Sequence, residues 1–284
     1  MSEDPSNAEA IETWNTILFD KFERFRWVLT RGLAVHGDAA IERLAPPAGA
    51  RIVDVGCGYG DTTIDLARRV GAVATGIDAA SSFIDVARHE AAGVDGAHFA
   101  VADAQSDDLG GPYDLAFSRF GTMFFANPAA AMRNVRRSLV PGGRLAMSVW
   151  RRREDNEWVY AAERIVKERL GEAEEPQAIT CGPGPFSMAD ADVTSSILQA
   201  AGWDRITLER HDRPICLGRS LDEAVEFALA LGPAGEAVRL AGAAGEARRP
   251  ELAAAVRDHF TRYAIGEDGQ IEASSSVWLV TARA

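Results

Sequence analysis

The sequence predicts an α/β fold built on a doubly wound, mostly parallel sheet. Three observations predict it. Between about residues 50 and 150, short β-type runs alternate with helical stretches, which is the pattern of βαβ units. A glycine-rich turn (Gly56, Gly58, Gly60) stands between the first run and its helix. Acidic residues close the first three runs in order, at Asp54, Asp78 and Asp103. Right-handed crossovers then fix the winding.

Residues 1 to about 10 read as a frayed start. Over residues 14–35, Trp14, Leu18, Phe22 and Phe25 fall at helical steps. AIERLAPPAG is a short helix closed by Pro46, Pro47 and Gly49. Strands follow at residues 51–55, 72–77, 97–101 and 113–117, with helices after the first two. Asn127 is a good N-cap with Pro128 at the first helical position, and Met132, Val135 and Leu139 share one face of that helix. Pro141, Gly142 and Gly143 stop it before a fifth strand at 144–150.

Beyond Trp150 the pattern predicts a helix over 154–170, a loop over 171–187 and a helix over 191–201. A sixth strand covers 205–210 and a last one 275–283. Between them Ser220 and Glu223 make a capping box for alanine-rich helical text that runs to about Ala264. There is no internal repeat. The expected units are an N-terminal helical lid (1–45), an α/β binding domain (46–220), a helical cap insertion over one edge of the sheet (221–265) and the final strand (266–284).

The chain has 284 residues, 47% of them hydrophobic and 25% charged, and a formal net charge of −12. That composition excludes wholesale disorder and fibrous folds. The excess of acid argues against nucleic acid or an anionic membrane as partner. Cys57, Cys181 and Cys216 lie far apart, with no disulfide framework and no metal-ligand spacing. The acidic start, MSEDPSNAEA, does not resemble a signal peptide, and no apolar run reaches membrane-span length. The expectation is a cytoplasmic protein, monomer or homodimer, with no metal.

The chemistry concentrates in VDVGCGYG, residues 53–60. A dinucleotide fingerprint needs GxGxxG, but Asp61 stands at the third glycine's place. A pyrophosphate beside Asp54 and Asp61 would meet repulsion of about 3 kcal/mol per pair at ~6 Å and an effective dielectric of ~20. A cationic ligand suits the same acids. S-adenosylmethionine, with net charge +1, fits. Asp78 is placed to accept from a ribose diol and Asp103 from an adenine amine, at the carboxyl edge where open α/β sheets bind ligands. The competing bland reading is a tight βα turn with acids as helix caps. Three acid-bearing strand ends in sequence weigh against it.

Taken with GIDAA (76–80), VADAQ (101–105), YDLAFSRFGTMFF (113–125) and LVPGGRLAMSVW (139–150), the motif resembles the class I S-adenosylmethionine-dependent methyltransferases. SRFGTMFF, followed by NP and PGG, is similar to a bacterial branch acting mostly on small molecules. The resemblance covers about residues 50–150, and SSVWLVTAR fits the same fold. It implies a seven-stranded, Rossmann-like sheet whose last strand is antiparallel. It also implies cofactor contacts from Gly56, Cys57 and Gly58 to the methionyl part, and from Asp78 and Ala79 to ribose and adenine. Asp103 and Ala104 would meet the adenine edge, and the Ser118 carbonyl the ammonium. Asp54 would support the turn, or the ammonium through water.

Methyl transfer needs alignment first, and a base only if the acceptor carries a proton. No catalytic residue is therefore singled out. The wall after the fourth strand (Arg119, Phe120, Met123, Phe124, Phe125) faces an acceptor or packs the core. Arg119 pairs with an anionic acceptor or with local acids. The aromatic helix of Trp14, Phe19, Phe22 and Trp27 is a water-excluding lid or an ordinary packed helix. Of five histidines, His211 is the one to test as a base. Arg151, Arg152 and Arg153 form a solvated turn or recruit an anion. The leading expectation is methylation of a small molecule. The alternatives are a quinone C-methyltransferase at a membrane, arsenite methylation, a nicotinamide-dependent oxidoreductase and a non-enzymatic sensor of the cofactor.

Overall fold

The computed structural model describes residues 7–171, 184–266 and 268–284. Eight strands form one sheet: β1 (Arg51–Val55), β2 (Val73–Asp78), β3 (Ala97–Val101), β4 (Tyr113–Arg119), β5 (Leu139–Trp150), β6 (Asp204–Gly218), β7 (Ala264–Ile265) and β8 (Ile271–Arg283). Their order is β3-β2-β1-β4-β5-β8-β6, with the two-residue β7 beside β8. The first five are parallel, and β8 is antiparallel to both β5 and β6. The expected doubly wound α/β sheet is therefore present.

The centre of the sheet is apolar on both faces, as parallel strands covered by helices require. Ile52, Val53, Ala116, Phe117, Met147 and Val149 are fully buried. Helix Ala34–Leu44 packs on β4, β5 and β8. It presents His36, Gly37, Ala40 and Leu44 inward, at helical spacing. Asn127 caps helix Pro128–Arg137 by accepting from the Ala130 amide at 3.0 Å, as expected.

Three strands run longer than the sequence pattern suggests. β5 starts at Leu139, not at 144, so Leu139 belongs to the strand and not to the helix face, and Pro141, Gly142 and Gly143 lie within it. β6 and β8 stay paired from Asp204 opposite Arg283 to Gly218 opposite Ile271. β5 accompanies β8 only as far as Trp150 opposite Val277, so the remainder projects as a two-stranded ribbon. His211 thus lies inside β6, not after it. The polar run His211–Asp212–Arg213 and Pro214 hid this stretch, but β6 is the edge of the sheet, where proline is tolerated.

The ribbon carries helices Leu221–Ala230, Gly232–Leu240, Gly242–Ala247 and Arg249–Phe260; the first, second and fourth rest on helix Glu157–Leu170. In the capping box, Ser220 Oγ accepts from the Glu223 amide, while the Glu223 carboxylate turns back to the Arg219 amide, one residue earlier than expected. The N-terminal stretch is helical, but its hydrogen bonding widens to π-type over Trp14–Leu18 and Val28–Gly32. Cys181 and most of the expected loop over 171–187 lie outside the described residues. Among the described residues no helix is long and apolar enough to cross a membrane.

Candidate functional site

The β1 tip turns through Gly56, Gly58 and Gly60, all with positive φ. The Gly56 and Cys57 amides donate to the Ile77 carbonyl at 2.9 and 3.0 Å, which ties the turn to the end of β2. A Cβ on Gly56 would come within 2.7 Å of the Gly121 Cα, so that contact excludes a side chain. At Gly58 the reverse holds. An added Cβ would meet only Phe83, at 4.0 Å, so the outer face of the turn is bare backbone next to open space.

Asp78 fixes this turn. Its Oδ2 accepts from the Gly58 amide and its Oδ1 from the Ala80 amide, both at 3.0 Å. With the Ala79 amide also acting on it, the carboxylate still keeps acceptor capacity for a ligand. Burial raises the Asp78 carboxyl above the usual range, against the pull of those amides. Ala79 lies half-buried beside it.

Asp54 is 1% exposed and accepts from Thr63 Oγ1 at 2.7 Å. It supports the turn from beneath and is shut off from water. Burial, with Asp61 and Asp78 nearby, pushes its carboxyl up to about 7, although Thr63 and Arg119 pull the other way. The Cys57 thiol is also buried and driven well upward by burial, so it is a packing group and not a nucleophile. Ser118 is fully buried and donates to the Val55 carbonyl at 2.7 Å. Its side chain locks β4 to β1, and its backbone lies within the pairing of β4 with β5.

Asp103 follows the end of β3 by two residues, and its carboxylate is already engaged. Asn7 Nδ2 donates to both oxygens, at 2.9 and 3.1 Å, and the Gln105 amide and Ser106 hydroxyl add to them. Asn7 in turn accepts from the Ala126 amide at 2.9 Å. An adenine amine reaches Asp103 only if Asn7 gives way. Ala104 is buried, and its carbonyl accepts from Asn134.

The N-terminal helices lie across this edge. Trp14 meets Phe22, Phe83 and Phe124 edge-on at 5.0, 6.2 and 5.1 Å. Phe19 packs on Phe83 and Tyr59. Asn15 Oδ1 accepts from the Ser82 amide at 3.1 Å, capping helix Ser81–Glu90 from outside. Trp27 faces Arg219 instead.

The acceptor wall is rearranged relative to expectation. Arg119 donates to Asp61 at 2.6 Å and to the Leu29 and Thr30 carbonyls at 3.2 and 3.3 Å. It is a strut to the N-terminal segment, and the local acid has taken it rather than an anionic acceptor. Met123 is 1% exposed and belongs to the core, not to a substrate wall. Phe120, with φ +62°, stacks on Trp150 at 4.4 Å. The arginine run after β5 is only partly the solvated turn expected: Arg152 is exposed beside Asp155, whereas Arg151 is buried against Asp155 and Ser276 and Arg153 bonds Glu163.

His36 is the residue that sequence reasoning passed over. It is fully buried against Phe120, Trp150 and His211. The spacing Leu33, His36, Ala40, Leu44 places it on the inward face of its helix, and that was the available signal. Burial lowers its pKa to about 3, with His211, Arg213 and Arg119 adding to the shift. Burial also lowers His211.

Residues 52–143 match a family described as a methyltransferase domain. A demethylmenaquinone methyltransferase of Corynebacterium kroppenstedtii is 27% identical over 201 residues, covering 66% of this chain and 82% of that protein. The next curated relatives are matched over 33% to 63% of their own length. Among solved structures, YcgJ of Bacillus subtilis superposes with a TM-score of 0.57 at 16% identity, over 88% of this chain and 98% of that one. A phosphoethanolamine N-methyltransferase of Haemonchus contortus, in complex with S-adenosyl-L-methionine, gives 0.57 at 15% identity over 96% and 59%. The structural likenesses speak to fold.

Proposed function

We propose, for a chain that belongs to the class I S-adenosylmethionine-dependent methyltransferases, that its carboxyl-edge crevice binds S-adenosylmethionine and directs the methyl group to a small-molecule acceptor. One observation carries the reading. Asp78, anchored by the Gly58 and Ala80 amides, keeps acceptor capacity beside the bare outer face of Gly58. Gly56, Cys57 and Gly58 would hold the methionyl part by backbone. Asp78 would take the ribose hydroxyls, with Ala79 beside it, and Asp103 with Ala104 the adenine edge. The Ser118 carbonyl would take the ammonium.

Asp61 is paired with Arg119, and Asp54 is buried with its carboxyl raised to about 7, so Asp78 is the acid that faces the turn's outer side. Asp61 also stands where a dinucleotide fingerprint needs its third glycine, which counts against the nicotinamide reading. When bound, S-adenosylmethionine supplies a sulfonium methyl, and the carbon–sulfur electron pair leaves with sulfur. The chain's part is to hold the donor and exclude water, which the aromatic packing of Trp14, Phe19 and Phe22 supports. The names of the relatives, a demethylmenaquinone methyltransferase among them, support a small-molecule acceptor.

The test is a screen of small-molecule acceptors with the protein and S-adenosylmethionine, read by mass. A product heavier by one CH₂, formed together with the demethylated cofactor, is expected. Cofactor binding without any methylated product across the screen would favour the sensor reading.

A further inference from the structure

The cluster around His36 has a feature that the donor site does not use. Ser275 Oγ donates its one hydrogen to the Arg213 carbonyl at 2.7 Å. Its 2.7 Å bond to His36 Nε2 must therefore be donated by the imidazole. That fixes His36 as the neutral Nε2–H tautomer, in keeping with its lowered pKa. Its Nδ1 is then a bare acceptor, buried and without a partner. The Nε2 of His211 is likewise buried and unpartnered. The two ring centroids lie 5.4 Å apart. One oxygen about 2.8 Å from a nitrogen of each ring could bridge them.

Unpartnered buried polar atoms carry a cost and call for an explanation. The surroundings supply one. Phe120 and Trp150 form a stacked aromatic floor beneath His36. Phe120 holds a φ of +62°, a conformation costly for a non-glycine residue and commonly kept at functional sites. It directly precedes Gly121, whose backbone presses on Gly56 in the donor turn. The cluster is not sealed, because Phe120 and His211 are half-buried.

We infer that His36, His211, Phe120 and Trp150 form the acceptor subsite, and that it takes a flat aromatic or enolic molecule whose hydroxyl donates to His36 Nδ1. The inference rests on the methyltransferase reading and names its acceptor class. His36 acts here as a hydrogen-bond acceptor that orients the hydroxyl. Ser275 is a positioning residue, since it sets the tautomer.

The test is ¹⁵N NMR of histidine-labelled protein with the demethylated cofactor present, using 2-naphthol and 2-methoxynaphthalene as probes. In the free protein the His36 proton should sit on Nε2. Saturable addition of 2-naphthol should shift the Nδ1 resonance, and the ether should not. His36→Phe should weaken 2-naphthol about tenfold or more, and His36→Asn, which keeps a polar atom near Nδ1, should restore part of that. Both variants should keep the parent's affinity for S-adenosylmethionine, which also reports that they fold. A proton on Nδ1, equal shifts with the ether, or an unmoved Nδ1 at the highest soluble 2-naphthol would overturn the subsite while cofactor binding persists. Failure of the parent to bind S-adenosylmethionine would instead strike the methyltransferase reading itself.

Discussion

Asp78 is the residue on which the cofactor reading turns. Replacing it with alanine removes charge-assisted bonds to the Gly58 and Ala80 amides and to any ribose hydroxyls. Asp78→Ala should weaken S-adenosylmethionine binding by about 1.5–3 kcal/mol by calorimetry. Undiminished affinity in a folded variant would remove Asp78 from the site. Asp54 and His36 make a pH prediction with opposing signs. The Asp54 carboxyl titrates at about 7 when folded, against an ordinary value of 3.8. The folded state therefore holds the extra proton, and stability is gained as pH falls from 7 toward 4. His36 titrates at about 3 when folded, against 6.5. The unfolded chain takes that proton first, and stability is lost as pH falls below 6.5. The two largely offset in the parent protein. Asp54→Asn removes the gain, so urea-unfolding stability should drop on the order of 4 kcal/mol further than the parent's between pH 7 and 4. Parallel pH curves would contradict the buried state of Asp54. The acids were legible in the sequence because each lies within two residues of a strand's carboxyl end and needs only local pattern. His36 was not, because its partners Ser275 and His211 arrive from the far end of the chain.

Among the elements, the N-terminal helices pack across the carboxyl edge of the sheet. Arg119 holds them through two backbone carbonyls and through Asp61. Its side chain is 12% exposed and that of Asp61 is 34% exposed, so water partly compensates the acid when the pair is broken, while the Leu29 and Thr30 carbonyls lose their donor. Arg119→Ala should cost about 1–3 kcal/mol of stability and speed amide exchange over residues 8–32. Unaltered exchange there would mean that other contacts fasten the segment. Asn7 bonds both oxygens of Asp103. If adenine takes the same carboxylate, Asn7→Ala should tighten S-adenosylmethionine binding severalfold. An unchanged constant would place the adenine elsewhere. Helix existence in this stretch was readable from aromatic spacing. The π-type widening and the choice of face were not, since the first π-type turn packs toward Tyr59, Ala80 and Phe83 and the second against β6, both distant in sequence.

Across the whole molecule, the first four parallel strands were readable to within about two residues, because buried strands there are bounded by glycine, proline and acidic turns. β5 begins at Leu139, five residues before the expected start, because Pro141, Gly142 and Gly143 read as a helix stop but lie inside the strand. The antiparallel half was underestimated. β6 and β8 are amphipathic ribbon strands whose polar residues face solvent or each other, as Thr207 faces Thr281. Only the pairing itself reveals their length. That ribbon carries the helical insertion and brings His211 and Ser275 to the sheet's carboxyl edge, where β4 delivers Phe120. Donor turn and acceptor cluster thus meet through Gly56 and Gly121. The most direct measurement is a competitive titration of the purified protein with S-adenosylmethionine, its demethylated product and NAD. Saturable one-to-one binding of the first two, with NAD unable to displace them, is the predicted result. Preferential binding of NAD, or no binding of either sulfur compound, would contradict it.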